Sequence, residues 1–278
     1  MAHCVVPEAE ALLDKEFPVL DKGFVRLVDY LGGDARIVQA ARVSYGEGTK
    51  TVREDSALID HLLRNSHTSP FEQVVLAFHV KLPVFVARQW LRHRTARLNE
   101  ISGRYSVLRG EFYVPRAEDV AFQSADNRQG RAEEAAPPEF AEKVRASLER
   151  GQRDAYHTYG ELIQSGLSRE IARVCLPLSV YTEMYWQIDL HNLFHFLRLR
   201  LDLHAQKEIR EYAEVLLRIA RAVAPLATAS FENHRLGGIL LSRDEADALR
   251  VMLGGGECPL SGKAKERFLA KIERGVQL

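Results

Sequence analysis

An α+β fold in which helices outnumber strands is what this sequence predicts, and three features carry that expectation. β-Branched and aromatic residues concentrate in short stretches, "GFVRLVDYLG" (23–32), "QVVLAFHVKL" (73–82) and "SVYTEMYWQI" (179–188), with partial alternation of apolar and polar positions. Between and after them run longer stretches with helical spacing of apolar residues, above all 139–165 and 204–224. With 278 residues, 46% of them hydrophobic, the chain can bury a substantial core, which we read as one domain.

In chain order, the Gly-Gly that closes 23–32 marks a turn after the first strand. "DARIVQAARVS" (34–44) then opens on Asp34 as a cap and spaces Ile37, Ala40 and Ala41 along a helix face. "EDSALIDHLLRN" (54–65) repeats the pattern with Leu58, Leu62 and Leu63. Pro70 stops what precedes the second strand, and Pro83 suits the first turn of a helix over 83–94, "PVFVARQWLRHR". Residues 104–115 read as extended, and 116–138 as a long polar surface loop without periodicity or chemistry. A long helix follows from about Glu139 to Ser165, then a shorter one through 168–176 that ends near Pro177. Beyond the strand at 179–188 come helices over 190–201 and 204–224. About 240–278 is a polar helical tail split by "GGGECP", so the core spans about 22–230 between an N-terminal extension (1–21) and that tail.

Charge and cysteine content exclude several classes. Lys plus Arg and Asp plus Glu number 38 each, so no global charge holds the protein on nucleic acid or an anionic membrane. Any anion must be gripped by a local cluster. Cys4, Cys175 and Cys258 are odd in number, far apart and without a CxxC, which argues against a disulfide framework or a zinc ribbon and fits a reducing cytosol. "MAHCVVPEAEALL" lacks the basic flank and apolar run of a signal peptide, and no stretch approaches the roughly 18 apolar residues of a membrane span. The expectation is a soluble, cytoplasmic protein.

The local cluster is "RHRTARLNEISGRY" (92–105), which sets Arg92, Arg94, Arg97 and Arg104 beside His93, Asn99, Glu100 and Ser102. On the predicted helix Gln89, Arg92 and His93 share one face, with Phe85, Val86 and Trp90 as anchors on the others. Arg suits an anion site because its planar guanidinium makes paired, charge-assisted bonds to phosphate and stays ionised. A solvated basic helix end is the bland alternative. Against it stand Asn99 and Glu100, which a merely basic surface does not call for, and a Ser102-Gly103 turn whose backbone N–H groups can meet an anion before Arg104-Tyr105 opens a strand.

These residues closely resemble the signature of the flavin-dependent thymidylate synthases, RHRxxSxNExSxRY, at every position but one: Arg97 stands at the first Ser. "HTSPFE" (67–72) and "RLRLDLHAQKEI" (198–209) are similar to the family's flanking segments in the same order, so the resemblance covers roughly residues 22–230. It implies a central, mostly antiparallel sheet flanked by helices, in a homotetramer whose active sites lie between subunits. It implies that Ser69, Arg92, His93, Arg94 and Glu100 help bind FAD, and that Gln89, Arg92, Glu100, Ser102, Gly103, Arg104 and Arg173 contact dUMP. Asp189, Leu190, His191 and His195 fall where family members place further flavin contacts. Arg200 matches the arginine that favours ionisation of uracil N3, which makes it the expected catalytic residue and a substrate contact. The implied reaction methylates dUMP to dTMP with 5,10-methylenetetrahydrofolate as one-carbon donor. NADPH reduces FAD, the methylene leaves folate by way of the flavin, hydride completes the methyl group, and tetrahydrofolate is released. Arg97 either points to solvent or adjusts the phosphate or folate side of the pocket.

Other motifs are weighed against that expectation. His191 and His195 lie four apart on one helix face with His204 further on, but the HExxH zinc motif needs Glu where Asn192 stands, and no metal is expected. Cys175 in "RVCLPL" has apolar neighbours and reads as an inert thiol rather than the thiolate nucleophile of the better-known thymidylate synthases. Ser102 has no base beside it in sequence and reads as a substrate contact. No GxGxxG or Walker A motif occurs, so the phosphates of a dinucleotide would be met by side chains such as Arg92 and Arg94. Two other classes remain open at this point. A nucleic-acid-binding module predicts a basic domain, against the zero net charge, and a metal-dependent hydrolase would use His191, His195 and His204.

Overall fold

The stretch rich in Val, Leu and Phe before Pro83 becomes the middle strand of a five-stranded sheet. In the computed structural model, which describes residues 4–43, 52–125 and 129–274, the strands are β1 (Glu16–Val19), β2 (Gly23–Leu31), β3 (Val75–Pro83), β4 (Arg97–Glu100), β5 (Ala121–Gln123), β6 (Arg131–Ala135) and β7 (Tyr181–Asp189). The helices are α1 (Pro7–Glu10), α2 (Asp34–Arg42), α3 (Val52–Arg64), α4 (Val84–Trp90), α5 (Pro138–Gln164), α6 (Arg169–Ala172), α7 (Leu190–Arg200), α8 (Lys207–Val223), α9 (Pro225–Phe231), α10 (Arg243–Leu253) and α11 (Gly262–Arg274). The sheet order is β1-β2-β3-β7-β4 with every neighbouring pair antiparallel, so the fold is α+β with an antiparallel central sheet. Ser44, the end of one predicted helix, three positions of the predicted 116–138 loop, and the outermost residues of the extension and tail lie outside the described residues.

Side-chain alternation puts the core on one face of the sheet. Leu76, Phe78 and Val80 of β3 and Met184, Trp186 and Ile188 of β7 point to it, in register as Leu76↔Ile188, Phe78↔Trp186 and Val80↔Met184. Helices α4, α7 and α8 cover that face through Trp90, Phe196 and Tyr212. Trp90 meets Trp186, Phe196 and Tyr212 at ring-centroid distances of 5.0, 4.7 and 6.0 Å. Truncating a fully buried ring of this kind to Ala costs about 3–5 kcal/mol, which holds the two helices that frame the site, α4 and α7, firmly on the sheet.

Several elements differ from the sequence expectation. Helix α4 stops at Trp90 rather than Arg94, so Gln89, Arg92 and His93 do not share a helix face. The cause is tertiary: the Gln89 carbonyl, which in a continued helix would accept from the His93 N–H, accepts from Arg200 instead, and the His93 N–H turns to the Trp90 carbonyl at 3.0 Å. The strand near the Ser102-Gly103 turn precedes it, as β4, and Arg104 and Tyr105 lie in the turn itself. Asp34 does not cap α2, whose N-cap is Gly33; its carboxylate reaches across to accept the Leu226 and Ala227 N–H groups at 2.8 and 2.9 Å and caps α9.

Within the 116–138 segment β5 and β6 pair antiparallel, so it is not featureless coil. Charge anchors it to α8: buried Asp119 accepts from Lys207, and Arg131 donates to Glu208 at 3.5 Å. Helix α8 itself begins at Lys207 rather than 204, leaving 201–206 as a connection directly after Arg200. Among the described residues no helix is long and apolar enough to cross a membrane.

Candidate active site

Helix α7 delivers the charged end of the site. Its N-terminus is fixed by Asp189, whose carboxylate accepts from the Asn192 backbone N–H at 2.9 Å and side-chain amide at 2.8 Å. Leu190, Leu193, Phe194, Phe196 and Leu197 are buried, so the opposite stripe of His191, His195 and Arg198 faces outward and Arg200 ends the last turn. Leu190 is fully buried and its N–H donates to Val74, which leaves its side chain turned from any ligand. The Arg200 Nε–H donates to His93 Nε2 at 3.0 Å and an Nη2 N–H donates to the Gln89 carbonyl at 2.9 Å. Both acceptors are neutral.

Around this pair lies a cavity of about 280 Å³ lined by Arg92, His93, Arg94, Asn192, His195 and Arg200 among others. Arg92 and Arg94 are exposed and make no ion pair among the described residues, so their charge is available to an anion. Burial, and after it the neighbouring Arg200 and His195, lower the His93 pKa to about 4, which keeps its ring neutral. Desolvation and the Arg198 cation lower that of His195, and burial lowers that of Arg200 from the ordinary guanidinium value. His195 also lines an adjoining cavity of about 230 Å³ with His67, His191, Arg198 and Arg235. Two guanidinium groups beside these imidazoles oppose a metal cation, and among the described residues no three metal-ligating side chains converge.

The second half of the candidate site is the turn after β4. Glu100 accepts from the Thr182 hydroxyl at 2.6 Å, and the Arg104 N–H donates to the Ser102 hydroxyl at 3.3 Å. A Cβ on Gly103 would stand 3.0 Å from Leu108 and 3.2 Å from the Arg173 side chain, so glycine lets the turn close onto Arg173. The exposed Arg104 side chain faces Glu170 at 3.8 Å. No hydrogen bond or ion pair among the described residues joins this group to the Arg200 group. Ser69 lies apart from both, in a cleft with Arg36, Gln39 and Gln73.

The other sequence candidates find plain surroundings. The Cys175 thiol donates to the Ala172 carbonyl at 3.2 Å and lies 3.5 Å from the Ala155 carbonyl. His204 pairs with Asp202 on the connection after α7, away from the His191–His195 stripe. Arg97 lines a trough of about 420 Å³ with Asp29, Ala77 and Gln187 on the sheet face opposite the core, not the cavity around Arg200. Two participants escaped the sequence reading. Gln206 accepts from the Gln89 side-chain amide across 117 positions, and Thr182 holds Glu100 across 82. Neither sits near the signature, so only tertiary structure reveals them.

The cavity chemistry suits a ligand with several phosphates: two free guanidinium groups, a neutral imidazole and no opposing carboxylate on its lining. Comparison with known proteins agrees. A family model described as thymidylate synthase complementing protein matches residues 26–226, and a thymidylate synthase ThyX C-terminal domain model matches 239–278. The flavin-dependent thymidylate synthase of Treponema denticola is 64% identical over 96% of this chain and 100% of its own length. That of Thermus thermophilus is 59% identical over 85% of each chain. A crystal structure of a UMP/dUMP methylase from Streptomyces cacaoi, bound with 5-bromo-dUMP, superposes with a TM-score of 0.72 at 31% identity over 79% of this chain and 99% of its own. The signature segment, the guanidinium-lined cavity and these likenesses agree, and the chain belongs to the flavin-dependent thymidylate synthase family.

Proposed function

We propose that the protein methylates dUMP to dTMP as a flavin-dependent thymidylate synthase, with FAD as cofactor and 5,10-methylenetetrahydrofolate and NADPH as cosubstrates. One observation of the structure carries the reading furthest: among the described residues a partly buried guanidinium, Arg200, is held by two neutral acceptors at the edge of a cavity that also holds Arg92 and Arg94. Such a group can stabilise negative charge developing on a uracil ring, where a carboxylate-paired arginine would have its charge offset. FAD, when bound, supplies the redox chemistry of the methyl transfer.

The chain's own residues have divided tasks. Arg92, His93 and Arg94, with Ser69, Glu100, Asp189, His191 and His195, hold the cofactor; of Leu190 only the backbone can take part. Gln89, Arg92, Glu100, Ser102, Gly103, Arg104 and Arg173 hold dUMP, with Arg104 and the turn N–H groups on its phosphate. Arg200 favours loss of the uracil N3 proton, which raises electron density at C5 and makes a cysteine nucleophile unnecessary.

The family resemblance supports a homotetramer in which the Arg200 half of one subunit faces the turn of another. The three scattered cysteines, without a CxxC, support a reducing, cytoplasmic compartment. The core of about 22–230 with the extension before it and the α10–α11 tail after it forms one domain. The test is an absorption spectrum of the purified protein under anaerobic conditions. Flavin bands that bleach with NADPH, faster or more fully when dUMP is present, are expected. A colourless protein that FAD does not reconstitute overturns the reading.

A further inference from the structure

We propose that His93 is a positioning residue for Arg200: its Nε2 accepts the guanidinium Nε–H and so aims an uncompensated cation at the substrate. The inference rests on the assignment of Arg200 above and adds a role for His93 distinct from holding the cofactor. A guanidinium offers five N–H donors. Two are spent, one on His93 Nε2 at 3.0 Å and one on the Gln89 carbonyl at 2.9 Å, and three remain for a ligand. Two bonds to adjacent nitrogens fix both the position and the plane of the group. A carboxylate could hold it as firmly but would cancel the charge on which the chemistry depends; an imidazole and a peptide carbonyl do not.

To accept at Nε2 the ring must be neutral with its proton on Nδ1, and burial together with the facing Arg200 and His195 favours that form. The ring is also held mechanically. Phe196 lies 4.7 Å from it, centroid to centroid, and His195 packs edge-on at 5.7 Å. Phe196 and Arg200 are four apart on α7, so one helix carries both the cation and the ring that steadies its acceptor. The route to this geometry is the early end of α4, which frees His93 from the helix and leaves the Gln89 carbonyl for Arg200.

The experiment compares the FAD-loaded enzyme with His93→Gln, His93→Phe and Arg200→Ala, measuring flavin content by absorbance and steady-state kinetics against dUMP. Gln places an oxygen near the position of Nε2 without a ring, whereas Phe keeps the ring without an acceptor. Both variants are assayed at saturating FAD and compared per bound flavin, because His93 also stands among the residues assigned to the cofactor. His93→Gln should stay within about fivefold of the wild-type kcat, while His93→Phe should lose about ten- to a hundredfold in kcat with little change in KM, as a misaligned charge-assisted contact predicts. His93→Asn, whose oxygen falls near Nδ1, gives the same contrast if the Phe variant does not fold. A His93→Phe enzyme with wild-type kcat per bound flavin, or a His93→Gln enzyme no better than Phe, overturns the proposal. Retained turnover in Arg200→Ala would instead overturn the assignment of Arg200 on which it rests.

Discussion

The two halves of the candidate site are built on opposite principles. Around Arg200 the protein aligns the group with its own hydrogen bonds: the guanidinium is partly buried, held by His93 and the Gln89 carbonyl, and Gln206 holds the Gln89 side chain in turn. Around Ser102 and Arg104 the turn is open, and Arg104, exposed, has only Glu170 at 3.8 Å. On the proposed function the first half is preorganised for charge that appears during reaction, where any reorganisation would slow the step. The second is left unsatisfied for a group that arrives already charged, such as a phosphate. Removing a residue from the first should therefore lower kcat, and removing one from the second should weaken binding.

The largest effect that follows from this contrast is at Arg200. Arg200→Ala should reduce dTMP formation by at least about a hundredfold, the size found when a preorganised donor to developing charge is removed, while the flavin stays bound. Turnover near wild type in a flavin-containing variant would break the comparison at its stronger half. Arg104→Ala should instead raise the dissociation constant for dUMP by about ten- to a hundredfold, the loss of one or two charge-assisted phosphate bonds. Isothermal titration gives that constant directly, and an unchanged value would mean that the turn does not hold the phosphate.

Acidity distinguishes the halves in a third way. The folded-state pKa of His93, about 4, lies below its ordinary value of 6.5. Between those values the unfolded chain binds the proton and the folded one does not, so stability falls as pH drops through that window and is regained as pH rises. The slope of melting temperature against pH from 6.5 down to 4 should therefore be shallower for His93→Gln than for wild type. Equal slopes would show that His93 charges as readily in the folded protein as in the unfolded chain.

How much of this was legible in the sequence depends on the range of the interactions. The strands 23–31 and 75–83 declare themselves through β-branched and aromatic residues, and the Arg-rich run at 92–105 marks a candidate anion site. Strand β4 hides because its four residues, Arg97, Leu98, Asn99 and Glu100, are charged, polar or edge-exposed, and pairing with β7 rather than intrinsic preference makes them a strand. The end of α4 hides for a similar reason. Nothing in "ARQWLRHR" breaks a helix; a side chain 111 positions away takes the carbonyl the next turn needed. Long-range competition for one backbone group lies outside any local pattern. The same holds for Gln206: the family-like segment 198–209 contains it, but its partner Gln89 is set by tertiary structure.

The smallest expected effect is at the one position where the signature fails. Arg97 pairs across strands with Gln187, which pairs with Ala77, which pairs with Asp29, and these four line the trough on the face of the sheet away from the helices. Arg92, His93, Arg94 and Arg200 line a different cavity. A cation at Arg97 is exposed and separated from the reacting groups of its own chain, so the field it adds at Arg200 is largely screened by solvent. Arg97→Ser should therefore leave kcat and the KM for dUMP within about twofold of wild type, and stability within about 0.5 kcal/mol, as for other exposed substitutions. A loss confined to one kinetic constant would say that the trough meets the cavity of a neighbouring subunit, and would place Arg97 with the open half of the site rather than outside it.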